Sequence, residues 1–228
     1  KKFKNYRRLK NRLAELGPLR LVADRDQAAF DHIMAWKSAQ YVRTGLQDVL
    51  RPRWTSRFMQ ALFETHSGDV SGLLLSLYAG DRLVAGHFGV RGKDVYHPWI
   101  ASTAPDLSAY SPGQTFMDEA IRAMPALGLR TYDLGIGHDH YKRPYAPRSG
   151  SVGAGYHLVA DREQGEFVMR SPSAPLGAVG RSPLVRRLGS RLDHIAATDP
   201  TLKGRVDGLF QAVVATRKRF GTMTVDQD

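Results

Sequence analysis

The chain has 228 residues, 42% of them hydrophobic, no cysteine and a formal charge of +11. That length suits one large domain or a domain with an appendage, and the missing cysteines exclude disulfides and thiolate zinc sites. No run of eighteen apolar residues occurs and nothing resembles a cleavable signal peptide, so the expected location is cytoplasmic. The charge is uneven. Residues 1–16 carry +6 and residues 179–220 carry +6, while 17–178 carry about +1. Basic ends of this kind read as solvated helix faces, or as contacts for nucleic acid or an anionic membrane surface.

Residues 3–16 read as a helix with Phe3, Tyr6, Leu9, Leu13 and Leu16 on one side, stopped by Gly17-Pro18. Leu19 to Ala23 is a short strand. Asp24 or Asp26 then caps a helix through Phe30, Ile33, Met34 and Trp36 that ends near Thr44-Gly45. Pro52 opens another helix. Gly72–Tyr78 is nearly all apolar and reads as a buried strand. It turns at Ala79-Gly80-Asp81 into Leu83–Val90, and Arg91-Gly92-Lys93 leads on to Asp94–Ser102. Pro98 sits inside that third strand, where a missing N–H signals an edge, a bulge or a break.

The chain is organised around the stretch from Ala109 to Ala146. Ser111 reads as an N-cap and Pro112 as the first helical residue, ahead of the apolar positions Phe116, Met117, Ala120, Ile121 and Met124. Such a helix start holds phosphate through backbone N–H groups and the helix dipole. Leu129–Leu134 is a short strand ended by Gly135 and Gly137, and Asp139 caps a helix that starts near Tyr141. Tyr156–Asp161 and Glu166–Arg170 read as a hairpin. A Ser/Pro/Gly/Ala linker, Ser171 to Pro183, precedes helices over Leu184–Ala197 and Leu202–Arg219.

A meander of antiparallel strands followed by a strand–helix–strand crossover predicts an α+β fold, a mixed, largely antiparallel sheet with helices on both faces. No GxGxxG follows the first strand and no GxxxxGK[ST] occurs, which argues against dinucleotide and P-loop sites. Two side chains suit a base. His97 shares a strand face with Val95 and Trp99 if a bulge at Pro98 leaves the parity intact, and its ordinary pKa lies near neutrality. Asp133, on a strand expected to be mostly buried, serves either as a base or as a cap for the amides at Gly135–Gly137. His138, Asp139 and His140, with His87 and His97, invite a metal reading. Adjacent loop positions rarely converge on one ion, and no metal is expected.

The element order, with WKSAQYVRTG (36–45), LVAGHFGVR (83–91), HPWIAS (97–102), YSPG (110–113), YDLGIG (132–137) and YKRPYA (141–146), resembles the GNAT acyltransferase superfamily. Within it, the chain looks like the CelD-like branch associated with cellulose and exopolysaccharide biosynthesis and related to FemAB-type transferases. The resemblance covers roughly Lys1 to Pro147. It implies an acyl-CoA co-substrate, such as acetyl-CoA, in the wedge between the fourth and fifth strands. The pyrophosphate would rest on Ser111, Pro112, Gly113, Gln114 and Thr115, where YSPG replaces the usual Arg/Gln-x-x-Gly-x-Gly/Ala turn. Tyr141 stands where many of these enzymes place a tyrosine near the CoA sulfur, as the acid. Lys142 would hold a phosphate or a substrate carboxylate. Lys37, Tyr41, Arg43 and Trp99 would line the acceptor side.

The implied organisation is a basic interdomain helix at 1–16, a GNAT-like domain at 17–170, and a linker with a basic helical extension at 171–228. Relatives of this branch usually carry another GNAT-like half before the basic helix, so this chain is expected to be the C-terminal domain of a longer protein. The expected function is transfer of an acyl group from acyl-CoA to an amino group of a sugar or polysaccharide precursor. The alternatives are a FemAB-like transferase using aminoacyl-tRNA, and a non-catalytic GNAT-like module in polysaccharide assembly.

Overall fold

The computed structural model describes residues 2–135 together with Lys142 and Tyr145. The HDH cluster at 138–140, Tyr141, the 156–170 hairpin and everything expected of 171–228 lie outside the described residues. The chain divides into two compact units, residues 1–41 with 53–147, and residues 42–52 with 148–228. Within the second, residues 42–52 are described: Asp48 caps a turn by accepting the Leu50 N–H at 3.0 Å.

The elements run α1 (Lys2–Ala14), β1 (Leu19–Asp24), α2 (Gln27–Thr44), α3 (Arg53–Glu64), β2 (Ser71–Ala79), β3 (Arg82–Arg91), β4 (Val95–Thr103), α4 (Pro112–Ala123) and β5 (Thr131–Tyr132). Two 3-10 turns, Pro105–Tyr110 and Pro125–Leu127, flank α4. The five strands lie in sequence order, antiparallel from β1 to β4 and parallel between β4 and β5. This is the mixed sheet expected from the sequence. Asp26 caps α2 by accepting the Ala28 N–H at 3.0 Å, and Asp24 accepts that of Asp26 at 2.9 Å. No helix among the described residues is long and apolar enough to cross a membrane.

Alternation along β2 sends Leu73, Leu75 and Leu77 to one face and Leu74 to the other. The first face is covered by α1 and α4. Leu13, Phe116, Ala120 and Met124 complete its core with Ala85 and Tyr96. A Lys10–Glu119 ion pair ties α1 to α4. The second face carries α2 and α3. Phe30 stacks on Phe63 at 4.5 Å, and both meet Phe88 edge-on at 5.0 and 6.1 Å. Each such ring contributes roughly 1.5–3 kcal/mol when fully buried.

β4 crosses between these two environments by a bulge. Phe88 pairs with Ile100, whereas Gly89 pairs with Pro98, so Trp99 is the extra residue. The break therefore falls one residue beyond Pro98, the position that the missing N–H suggested. Tyr96, before the bulge, faces the α4 core, while Ile100, after it, pairs with Phe88 on the α2/α3 face. Two positions of equal parity thus point in opposite directions, as an inserted residue requires. Gly89 makes the bulge fit. A Cβ there would lie 2.1 Å from the His97 carbonyl oxygen and 2.6 Å from Pro98 Cα.

β5 is shorter than Leu129–Leu134. It pairs with β4 only at Val95–Thr131 and Tyr96–Tyr132. Asp94 O accepts from the Arg130 and Thr131 amides at 2.8 and 3.0 Å, and Tyr96 O accepts from Asp133 N at 2.8 Å. Among the described residues, β4 has no strand partner on that side beyond Tyr96. Within the described chain the outer edge of β4 is thus open from His97 onward.

Candidate active site

The opening is flanked by His97 from β4 and Asp133 from the end of β5. His97 Nδ1 lies 2.8 Å from Asp133 Oδ2, and Asp133 Oδ1 accepts the Gly135 N–H at 2.8 Å. Asp133 is not the buried strand residue that the sequence suggested. Pairing stops at Tyr132, so the carboxylate stands beyond the ladder with its side chain 48% exposed. Partial burial favours its neutral form. The Gly135 amide, His97 and the nearby Lys142 charge outweigh that and hold the carboxyl below its ordinary range. An ionised Asp133 leaves Nδ1 of His97 as the donor, which puts the free lone pair on Nε2. A single carboxylate fixes the Gly135 turn with one oxygen and orients His97 with the other.

Beneath this pair lies a second one. His87 is 8% exposed, and its ring centroid sits 4.1 Å from that of Phe116. Burial, reinforced by the Lys37 ammonium, pushes its pKa down to about 3. Neutral His87 shares a hydrogen bond between its Nδ1 and the Tyr132 hydroxyl, 2.5 Å away. Tyr96 packs against Tyr132 at 5.3 Å and donates its own hydroxyl to the His87 carbonyl at 2.8 Å. Tyr132 and Tyr96, neighbours of the opening, are both fixed by β3. The histidine of the apolar run VAGHFGV is the local sign of this pair, since a buried polar ring needs a partner. Nothing local identifies which partner.

On α2, Lys37 lies over the Tyr41 ring at 5.1 Å and donates to Gln40 at 3.2 Å. Burial lowers its pKa. Lys37 and Tyr41 therefore share a helix face, one turn apart, and Arg43 falls in the exposed last turn of α2. Trp99, turned out by the bulge, is 41% exposed and stacks on Phe58 of α3. His97 pairs with Val90 and through it with Gly72, whose position abuts Leu62 and Phe63 of α3. His97 and Trp99 therefore lie on the same side of the sheet, facing α3.

α4 begins beside the far end of β4. Pro112 is fully buried at the first helical position. Ser111 is not the side-chain cap that its type suggests. It adopts the left-handed conformation (φ 50°, ψ 51°), and its hydroxyl makes no cap bond. The backbone turn from the preceding 3-10 segment sets that geometry, with Ser111 N donating to Ser108 O at 3.1 Å. The first turn of α4 contains no acidic residue. Thr115 is buried, and Gln114 donates to the Tyr145 hydroxyl. Tyr145 carries no local signal of this contact, because its approach to α4 depends on the chain returning past β5. Lys142, itself buried, accepts the Tyr145 N–H through its carbonyl at 2.9 Å. Among the described residues no three His, Cys, Asp or Glu side chains converge as metal ligands.

A bulged β4, a fifth strand paired with it at two positions among the described residues and a helix that starts beside the end of β4 form the arrangement of the GNAT acyltransferase class. A sequence profile of that family, the acetyltransferase (GNAT) domain, matches residues 1–143, and the chain belongs to it. No curated protein matches the chain. Among solved structures, it is similar to an aminoglycoside acetyltransferase, meta-AAC0020, from an uncultured soil metagenomic sample. The complexes with sisomicin and with trehalose each give 11% identity and a TM-score of 0.43, over 62% of this chain and 95% of the other.

Proposed function

We propose that this domain transfers an acyl group from acyl-CoA, acetyl-CoA in the first instance, to the amino group of a sugar or polysaccharide precursor. The observation that carries the reading is the His97–Asp133 pair at the mouth of the β4/β5 opening. GNAT acetyltransferases use acyl-CoA as co-substrate, and the residues here suit one. At the start of α4 the Gly113 N–H and the positive dipole end face no carboxylate of the first turn and suit a pyrophosphate, while the Ser111 and Gln114 amides already donate to Ser108 O and Ser111 O. The edge of β4 beyond Tyr96 offers backbone groups to an extended ligand arm.

In this scheme the amine nitrogen attacks the thioester carbon and forms the new C–N bond. His97 Nε2 takes the proton that the nitrogen loses. Asp133 is the positioning residue that holds the imidazole and stabilises its charge. The C–S bond then breaks, and the sulfur leaves as a thiolate that Tyr141 protonates. Lys37, Tyr41, Arg43 and Trp99 are assigned to the acceptor, and Lys142 to polarising Asp133 or holding an anionic group. The CelD-like motifs support a polysaccharide-linked acceptor.

The test is a titration of the chain with acetyl-CoA, repeated with Gly113→Ala and Gly113→Glu. An added Cβ at Gly113 meets the Thr103 methyl at 3.4 Å, an ordinary contact, so the alanine variant isolates size from charge. Binding that survives in Gly113→Ala and disappears in Gly113→Glu supports the assignment. Equal binding by both refutes the pyrophosphate placement. Steeply salt-dependent tRNA binding without acetyl-CoA binding would favour the aminoacyl-tRNA donor. Binding of neither would favour a non-catalytic module.

A further inference from the structure

We propose that Trp99 and Phe58 form a stacking shelf for one pyranose ring of the acceptor. The inference rests on the proposed amine acyltransfer and deepens it. Trp99 is 41% and Phe58 46% exposed, on different elements. Their rings lie nearly parallel, 20° apart with centroids at 5.9 Å. Singly exposed apolar residues need no explanation, but two large rings in stacked contact, both still exposed on their outer sides, leave a joined apolar surface. The bulge creates this surface. The inserted residue is Trp99 itself, and the absence of a Cβ at Gly89 lets β4 lie close against β3 there.

The position of the shelf selects its occupant. His97 and Trp99 lie on the α3 side of β4, two residues apart at the bulge, so no more than the ~6–7 Å of a regular strand. A nitrogen presented to His97 Nε2 places the carbon frame bearing it over the shelf, at roughly the span of one six-membered ring. Aromatic faces carry negative potential and attract the polarised C–H face of a sugar. The half-exposed rim leaves hydroxyl groups in contact with water. An amine that is apolar on one ring face and hydroxylated around its edge fits both conditions, and an acyclic amine gains nothing from the shelf.

The experiment compares two acceptors with acetyl-CoA as donor: glucosamine, and 2-amino-1,3-propanediol as an acyclic amino-alcohol. The readout is the ratio of kcat/KM between them for wild type, Trp99→Leu and Phe58→Leu, which keep apolar bulk without a ring face. The ratio is expected to fall about tenfold in each variant, the order of one aromatic stacking contact. An unchanged ratio overturns the shelf. A second measurement is independent of turnover. With Trp36→Phe and Trp54→Phe, Trp99 is the single tryptophan of the three in the chain. Its fluorescence should respond saturably to glucosamine, and Phe58→Leu should weaken that response. A saturable response without any acetyl transfer supports the shelf and refutes the acyltransferase reading. Transfer to glucosamine without a Trp99 response supports that reading and overturns the shelf.

Discussion

Gly89→Ala tests whether the bulge is a requirement of the fold. The new methyl would lie 2.1 Å from the His97 carbonyl oxygen, 2.6 Å from Pro98 Cα and 2.8 Å from Trp99 N. Ordinary contacts begin near 3.4 Å, so β4 must retreat by more than an ångström. All three atoms belong to main chain or its immediate Cα, and no rotamer change relieves them. Overpacking of this kind costs roughly 1–3 kcal/mol, and backbone clashes fall at the upper end. Losing two strand hydrogen bonds at about 1 kcal/mol each gives a similar figure. For a unit of this size 1 kcal/mol moves the melting temperature by about 3–5 °C, so a drop on the order of 10 °C is expected by circular dichroism. Gly92→Ala is the control, since its Cβ would meet only the Val95 carbonyl oxygen at 3.9 Å. Gly89→Ala should also blunt acetyl-CoA binding at temperatures where it remains folded, because the opening is shaped by β4. A melting temperature within about 2 °C of wild type would refute the reasoning.

His97→Ala should lower kcat by roughly 10²–10⁴ while acetyl-CoA affinity, measured by calorimetry, changes far less. Equal losses in both would move His97 from the chemistry to cofactor binding. Ser111→Gly should stabilise the chain by roughly 0.5–1 kcal/mol in urea titrations. A non-glycine residue in the left-handed region costs about 1–2 kcal/mol, partly offset by the looser unfolded chain. Asp133 has a depressed folded pKa, so its contribution to stability is present above the unfolded value of about 3.9 and fades as pH falls through the folded one. Asp133→Asn should therefore lose stability at pH 6–7 relative to wild type, and the gap should close as pH falls through the depressed folded value. Solvent exposure keeps that gap under about 1 kcal/mol, and a gap that persists unchanged into acid would contradict the pairing.

Much of the sheet is legible in the sequence because each strand carries a local signature. The apolar run of β2, the glycine turns and the proline within β4 are properties of neighbouring residues. The bulge is half legible. Pro98 announces an irregularity, but its location at Trp99 depends on Gly89, whose meaning appears only when β3 and β4 are paired. An interior strand glycine does signal close backbone approach, and that clue is present in VAGHFGV. Asp133 reads as buried when strand length is taken from the length of the apolar run. The pairing of β5 is decided by how far β4 stays alongside, which no local pattern reports. Ser111 shows the same limit at a helix start. Its type matches a cap, but the preceding 3-10 turn, a neighbour's conformation, fixes its backbone. His87 and Tyr132 lie 45 positions apart, and their bond is a consequence of topology.

The two-pair seam joins β4 and β5 at one end only among the described residues. Asp94 and Tyr96 carbonyls clamp the amides of Arg130, Thr131 and Asp133, and everything beyond them is free of ladder bonds among the described residues. From Tyr96 to Thr103 the strand extends seven residues, or about 23 Å at the usual rise. β3 holds β4 over that whole length, from Tyr96–Arg91 to Thr103–Ala85, so the edge assigned to the co-substrate is backed by a ladder on both sides of the bulge. At its closed corner the Tyr96 hydroxyl adds a bond to the His87 carbonyl.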